Sequence, residues 1–234
     1  MRYEIARNGY SNTKAVQLAK NVSRNSILKI SEENSEFPGI DIVTKPSVEY
    51  PWGTLASHIL GTVGKITESE LKDKQDSYGY NDIIGKTGIE YVYEDYLKGK
   101  NGTRQIDMSV NGTATDEYIS KEATAGSNVV LTIDANLQKV TEQALKSNIE
   151  KIKNGGFSEK SNADAGAVAV MNVNTGEVLA LASYPDYEPQ LFAEGISTEK
   201  YNEYTNSNLK PLFNRAISGA YAPGSTFKMV TAIA

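Results

Sequence analysis

Towards the end of the sequence, Pro223-Gly224-Ser225-Thr226-Phe227-Lys228 sets a serine and a lysine three positions apart. Side chains three apart on a helix share a face, so hydroxyl and amine can meet. Such a pair suits acyl transfer, because a serine hydroxyl becomes an effective nucleophile once a neighbouring base takes its proton. A lysine titrates near ~10.4 and must be brought towards roughly 7–8 by burial or cationic neighbours to serve as that base. Met229, Val230, Ala232 and Ile233 follow, which predicts an apolar, buried helix opening at Ser225. A serine in the first turn also has free backbone N–H groups beside it, at the positive end of the helix dipole, and these favour a developing oxyanion.

The tetrapeptide pattern alone decides nothing. It occurs six times, at Ser11/Lys14, Ser26/Lys29, Ser69/Lys72, Ser197/Lys200, Ser207/Lys210 and Ser225/Lys228. The first five lie among charged or polar neighbours that give a lysine no reason to lose its proton. The residues by themselves leave two readings of the sixth: a catalytic pair, or an ordinary buried helix start.

The elements that would position this pair belong to a chain of 234 residues, enough for one large or two modest domains. With no cysteine and a single histidine, His58, thiol catalysis, disulfides, thiolate metal sites and multi-imidazole metal sites are excluded. No metal or cofactor is expected, and His58 reads as a structural residue. A net charge of −5 without a basic run argues against nucleic acid as partner. No apolar run reaches the roughly 18–20 residues of a membrane span, so the chain as written is expected to be soluble.

Along the sequence, a helix is expected after a cap at Ser11 or Asn12, then a turn and short strand over 37–46. Thr67 and Glu70 form a capping-box pattern. Ile89, Val92, Tyr93, Tyr96 and Leu97 predict one helix over about 88–98, stopped by Gly99. The Tyr91, Tyr93 and Tyr96 rings read as packing residues rather than a stacking surface. Asn101-Gly102 and Asn111-Gly112 bracket a strand-like segment, and Asp116-Glu117 reads as loop. A polar stretch over 120–128 suggests a boundary near residue 125. Beyond it, 128–133 reads as a strand. Asp134 caps a helix to about residue 152 that buries Leu137, Val140, Ala144 and Leu145. Residues 165–184 form two strands joined at an Asn-Thr-Gly turn.

At this point a family resemblance becomes specific. "PLFNRAISGAYAPGSTFKMVTAIA" resembles the segment leading into the first active-site motif of class B penicillin-binding proteins, a group with S-x-x-K, S-x-N and K-[ST]-G motifs. "GSNVVLTIDANLQ" resembles the opening of their transpeptidase domain, and "AGAVAVMNVNTGEVLALASYPDYEPQLF" the hairpin that follows. "DIIGKTGIEYVYEDYLKGKNG" is similar to the signature of their amino-terminal pedestal, with "FPGIDI" and "HILGTVGKIT" upstream. The likeness is collinear from about residue 36 and leans towards elongation-type members. It implies an α+β fold: a pedestal (dimerisation-type) domain over 1–125 and the first part of a penicillin-binding transpeptidase domain over 126–234, with helices packed on an antiparallel sheet.

The resemblance also implies a function. Ser225 would be the nucleophile of a D,D-transpeptidase acting on D-Ala–D-Ala stem peptides of peptidoglycan, Lys228 its base, and the Ser225 backbone N–H an oxyanion donor. β-Lactams would acylate the same serine. A glycosyltransferase and other elongation-machinery proteins would contact the pedestal, and the parent protein would sit at the outer face of the bacterial cell membrane through an anchor not seen in this sequence. S-x-N and K-[ST]-G do not follow Ser225 here, and the look-alikes Ser23-Arg24-Asn25 and Lys86-Thr87-Gly88 lie upstream, where they read as helix surface and pedestal turn. Ala222 stands where the family favours Pro or Glu. The chain is therefore expected to be a fragment, inactive alone. Two other classes stay open: a non-catalytic interaction module, and a β-lactam sensor or β-lactamase.

Overall fold

The computed structural model describes residues 18–37, 39–44, 47–74, 77–79, 82–108, 114–157 and 159–234. The helix expected after Ser11 or Asn12, the Ser11/Lys14 pair and the Asn111-Gly112 turn lie outside these. The chain divides into two compact units, Met1–Pro46 and Ser47–Ala234.

In the first unit, helix α1 (Arg24–Glu32) starts where the Ser23 side chain accepts from the Ser26 N–H at 3.2 Å. Ser23-Arg24-Asn25 is thus an exposed helix start, as its polarity suggests. The strand expected before residue 46 does not form over 40–44. Asp41 instead folds its carboxylate onto the Ile42 N–H at 2.8 Å.

The second unit opens with a turn into helix α2 (Ser57–Leu60), followed by strand β1 (Val63–Lys65), helix α3 (Glu68–Asp73) and strand β2 (Ile83–Gly85). β1 and β2 pair antiparallel, Val63 opposite Gly85 and Lys65 opposite Ile83. The capping box is complete: Thr67 Oγ1 accepts from the Glu70 N–H, and Glu70 accepts from the Thr67 N–H at 2.7 Å. Ile66, Leu71, Tyr78 and Ile84 close over this small sheet as a buried cluster.

Where one helix was expected over 88–98, two short ones form, α4 (Gly88–Val92) and α5 (Glu94–Leu97), broken at Tyr93. The residue they bury is not the apolar stripe but Glu94, whose carboxylate accepts from Tyr78 Oη at 2.5 Å and from the Gly85 N–H at 2.8 Å. A buried carboxylate holding two donors outcompetes the stripe for the inward position. Val92 and Tyr96 are exposed in consequence. Gly88, at φ +61°, starts α4 where a Cβ would stand 2.6–2.7 Å from the Ile59 and Leu60 carbonyl oxygens and the Gly61 nitrogen. This is the turn before a helix expected for Lys86-Thr87-Gly88.

Strands β3 (Thr103–Met108) and β4 (Ala114–Lys121) pair antiparallel. Asp116 and Glu117 fall in β4 rather than in a loop. Residues 128–133 form no strand. Their ties to the sheet are Thr132 Oγ1 to the Val178 carbonyl at 2.7 Å and, just beyond, the Asp134 N–H to the Leu179 carbonyl at 2.9 Å.

Asp134 caps α6 (Ala135–Lys153), accepting from the Leu137 N–H at 2.8 Å, and Lys151 and Lys153 in the last turn complement the helix dipole. α6 packs on strand β6 (Val178–Tyr184), which pairs antiparallel with β5 (Gly166–Met171) through the expected turn. The buried face of α6 is turned from the expected one: Gln138, Thr141 and Ile149 are buried, while Val140 and Ala144 are exposed. Gln138 explains the rotation. Its amide donates to the Leu181 carbonyl at 2.8 Å and accepts from the Leu181 N–H at 2.7 Å, so a polar side chain faces β6 fully satisfied. Three two-stranded antiparallel sheets and short helices make an α+β fold among the described residues.

Candidate active site

Four short helical elements follow the hairpin: α7 (Gln190–Glu194), α8 (Thr198–Asn206), α9 (Arg215–Ser218) and, after a 3₁₀ turn at Gly224–Phe227, α10 (Lys228–Ile233). The described serines of the other S-x-x-K pairs are engaged in local turns and caps. Ser26 bonds the Ser23 hydroxyl at 2.9 Å, Ser69 the Thr67 hydroxyl at 3.0 Å, and Ser197 caps α8. Ser207 accepts from the Leu209 N–H at 3.2 Å.

The Ser225 turn is built differently. Gly224 supplies φ +55°, a left-handed step that L side chains resist, with open space around it. Thr226 ties the turn shut from its own side, its N–H and Oγ1 both donating to the Pro223 carbonyl at 3.3 and 2.6 Å. The Lys228 N–H donates to the Ser225 carbonyl. In a 3₁₀ turn residues three apart eclipse one another, so Ser225 and Lys228 leave the backbone on the same side. Among the described residues no hydrogen bond joins Ser225 Oγ to Lys228 Nζ.

The burial expected of this helix is absent: every residue from Tyr221 to Ala234 is exposed. Met229 and Ile233 stand 74% and 86% accessible, because no other described element covers that side of α10. The apolar wall that should desolvate Lys228 is therefore not supplied by the described residues.

What holds the approach to Ser225 was not read from the sequence. Arg215 is buried, and its guanidinium donates to the carbonyls of Leu209, Lys210 and Phe213, the second at 3.1 Å and the third at 3.4 Å. The Arg215 N–H donates to Ser183 Oγ at 3.0 Å, which fixes the start of α9 on β6. The available signal was an arginine with no carboxylate three or four positions away, hence with no partner on its own helix. His58 is structural, as expected: its Nε2 lies 2.7 Å from the Pro211 carbonyl, and burial lowers its pKa. A cleft of about 530 Å³ opens between Trp52, Leu55, Lys139, Glu142, Lys146 and Asp186, away from Ser225 and Lys228.

This geometry accompanies a clear kinship. Residues 2–131 match the Penicillin-binding Protein dimerisation domain and residues 166–234 the Penicillin binding protein transpeptidase domain. The chain belongs to the penicillin-binding protein family. It is 34% identical over 222 residues to the peptidoglycan D,D-transpeptidase MrdA of Acinetobacter baumannii, covering 94% of this chain and 31% of that one. Among solved structures it resembles one described as structural coordination of polymerization and crosslinking by a peptidoglycan synthase complex, with a TM-score of 0.73 and 29% identity over 97% of this chain and 39% of the other. It also resembles a complex between Penicillin-Binding Protein (PBP2) and MreC from Helicobacter pylori, with a TM-score of 0.69 and 28% identity over 95% of this chain and 38% of that one. The chain spans about a third of the length of the curated relatives it matches.

Proposed function

We propose that Ser225 is the acyl-forming nucleophile, and Lys228 the base, of a peptidoglycan D,D-transpeptidase. Ser225 Oγ attacks the carbonyl of the penultimate D-Ala of a stem peptide, and its proton passes to Lys228 Nζ. The terminal D-Ala leaves with a proton, giving an ester on Ser225, and the amine of a neighbouring stem peptide displaces the serine to form the cross-link. The Ser225 backbone N–H, in the first turn, is one donor to the oxyanion. β-Lactams acylate the same oxygen. The observation that carries the reading is the glycine-set 3₁₀ turn, which presents Ser225 and Lys228 on one side with neither side chain engaged by the turn itself. A division near residue 125 into pedestal and transpeptidase parts is part of this reading; the dimerisation match runs to residue 131 and the transpeptidase match starts at 166.

The test is to treat cells producing the protein with a fluorescent penicillin and map the adduct by peptide mass spectrometry. The adduct should lie on Ser225 and vanish in Ser225→Ala; an adduct elsewhere would overturn the assignment. The 234 residues purified alone should neither turn over D-Ala–D-Ala peptides nor label, since Ser225 and Lys228 stand in solvent.

A second role is favoured by the neighbours that are complexes. The amino-terminal part contacts elongation-machinery proteins, a glycosyltransferase among them, at the outer face of the cell membrane. Among the described residues no helix is long and apolar enough to cross a membrane. Binding of such a partner should survive Ser225→Ala; its loss in that variant would count against a separate contact role.

A further inference from the structure

Helix α2 precedes the small β1–β2 sheet, yet its polar groups engage the segments that lead to Ser225. The Ala56 N–H donates to Glu142 Oε1 on α6 at 2.9 Å, and Tyr187 Oη donates to the Ser57 carbonyl at 2.8 Å. His58 makes the most specific attachment, because it uses ring and backbone together. Its Nε2 lies 2.7 Å from the Pro211 carbonyl, and its own carbonyl accepts from Asn214 Nδ2 at 3.1 Å. A carbonyl can only accept, so the ring carries its proton on Nε2. The ring is packed edge-on against Tyr187, centroids 5.0 Å apart, and this fixes its plane.

The two bonds bracket residues 211–214 from one side. Arg215 holds Leu209, Lys210 and Phe213 from within the same segment, and Ser183 Oγ donates to the Phe213 carbonyl at 3.3 Å. Ser225 follows ten positions after Arg215. We propose that His58 is a positioning residue: from the amino-terminal part of the chain it fixes the 211–214 segment on which the run to Ser225 and Lys228 is based. The role rests on the reading of Ser225 as nucleophile, but the attachment itself can be tested without it.

Amide hydrogen exchange by mass spectrometry on the 234-residue chain reads the attachment directly. Losing one such bond is expected to speed exchange across 211–228 by about three- to tenfold in His58→Ala. The β3–β4 hairpin should be unchanged, and His58→Gln, which keeps an N–H donor, should restore slow exchange. Uniform acceleration along the chain, no change in 211–228, or failure of glutamine to rescue would each overturn the proposal. If His58→Ala does not fold, Asn214→Asp keeps the oxygen that caps the Ala216 N–H but loses the Nδ2 donor to the His58 carbonyl, and it is judged by the same confined acceleration. Ser225→Ala should leave the exchange pattern as it is, so a failed penicillin label and a failed attachment are separate results.

Discussion

Two lysines near a glycine-opened helix start, Lys86 in Lys86-Thr87-Gly88 and Lys228 after Gly224-Ser225, look interchangeable as sequence motifs and differ completely as structure. Lys86 Nζ sits 2.6 Å from Glu70 Oε2, the same carboxylate that closes the capping box of α3. Gly88 beside it is pressed on by backbone from three residues. Lys228 has no ion pair among the described residues, and nothing lies within 4 Å of where a Cβ on Gly224 would be. The first motif is closed and its charges are matched. The second is open and its functional groups are unengaged. The ion pair commits Lys86 to Glu70, whereas Lys228 is left unmatched; to take a proton a lysine must also be buried or set beside a cation.

The comparison breaks first on labelling. Lys228→Ala should slow penicillin acylation of the protein in cells by about 10²–10⁴, while Lys86→Ala should leave it unchanged. Equal losses would make the two lysines alike after all.

Next come the glycines, read by chemical denaturation of the 234-residue chain. Gly88→Ala forces a Cβ into three backbone contacts and should cost about 4 kcal/mol or more. Gly224→Ala meets only the left-handed backbone penalty and should cost about 1–2 kcal/mol. Between these, Arg215→Ala strands three carbonyls and should lower stability by about 3 kcal/mol.

The smallest effect is a pH profile. The hydrogen bond from Lys86, aided by the Thr67 N–H, depresses the Glu70 pKa to about 2. A carboxyl depressed on folding stabilises above its ordinary titration range and loses that contribution as pH falls towards 2. Because the pair is partly exposed, the loss should be no more than about 1 kcal/mol. The denaturation midpoint should therefore fall between pH 5 and roughly 2 in the native chain, and less steeply in Lys86→Ala.

What could be read in the sequence was local. Thr67 with Glu70, Asp134 before α6, and the hairpin around Asn172–Gly176 were legible because cap and turn chemistry is decided within a few residues. The collinear motifs placed the chain in its family for the same reason. What escaped depends on partners far away in sequence. The rotation of α6 is set by Leu181 through Gln138, and the break at Tyr93 accompanies the inward turn of Glu94 towards Tyr78 and Gly85. The burial of the Ser225 helix was inferred from its own apolar side chains, which state a need for cover but cannot supply it.

Gln138, Thr132 and Asp134 have one more consequence. Between them they occupy the outward-facing groups of β6 at Val178, Leu179 and Leu181, so that lip of the hairpin is hemmed by side chains and a helix start. The outer lip of β5 pairs with no strand among the described residues, and its Gly166–Ala169 stretch opens onto a hollow floored by Arg215 and Ala216. The ribbon thus has two unlike edges: backbone groups at Val178, Leu179 and Leu181 are taken by side chains and a helix start, while β5 pairs on its outer side with no strand among the described residues.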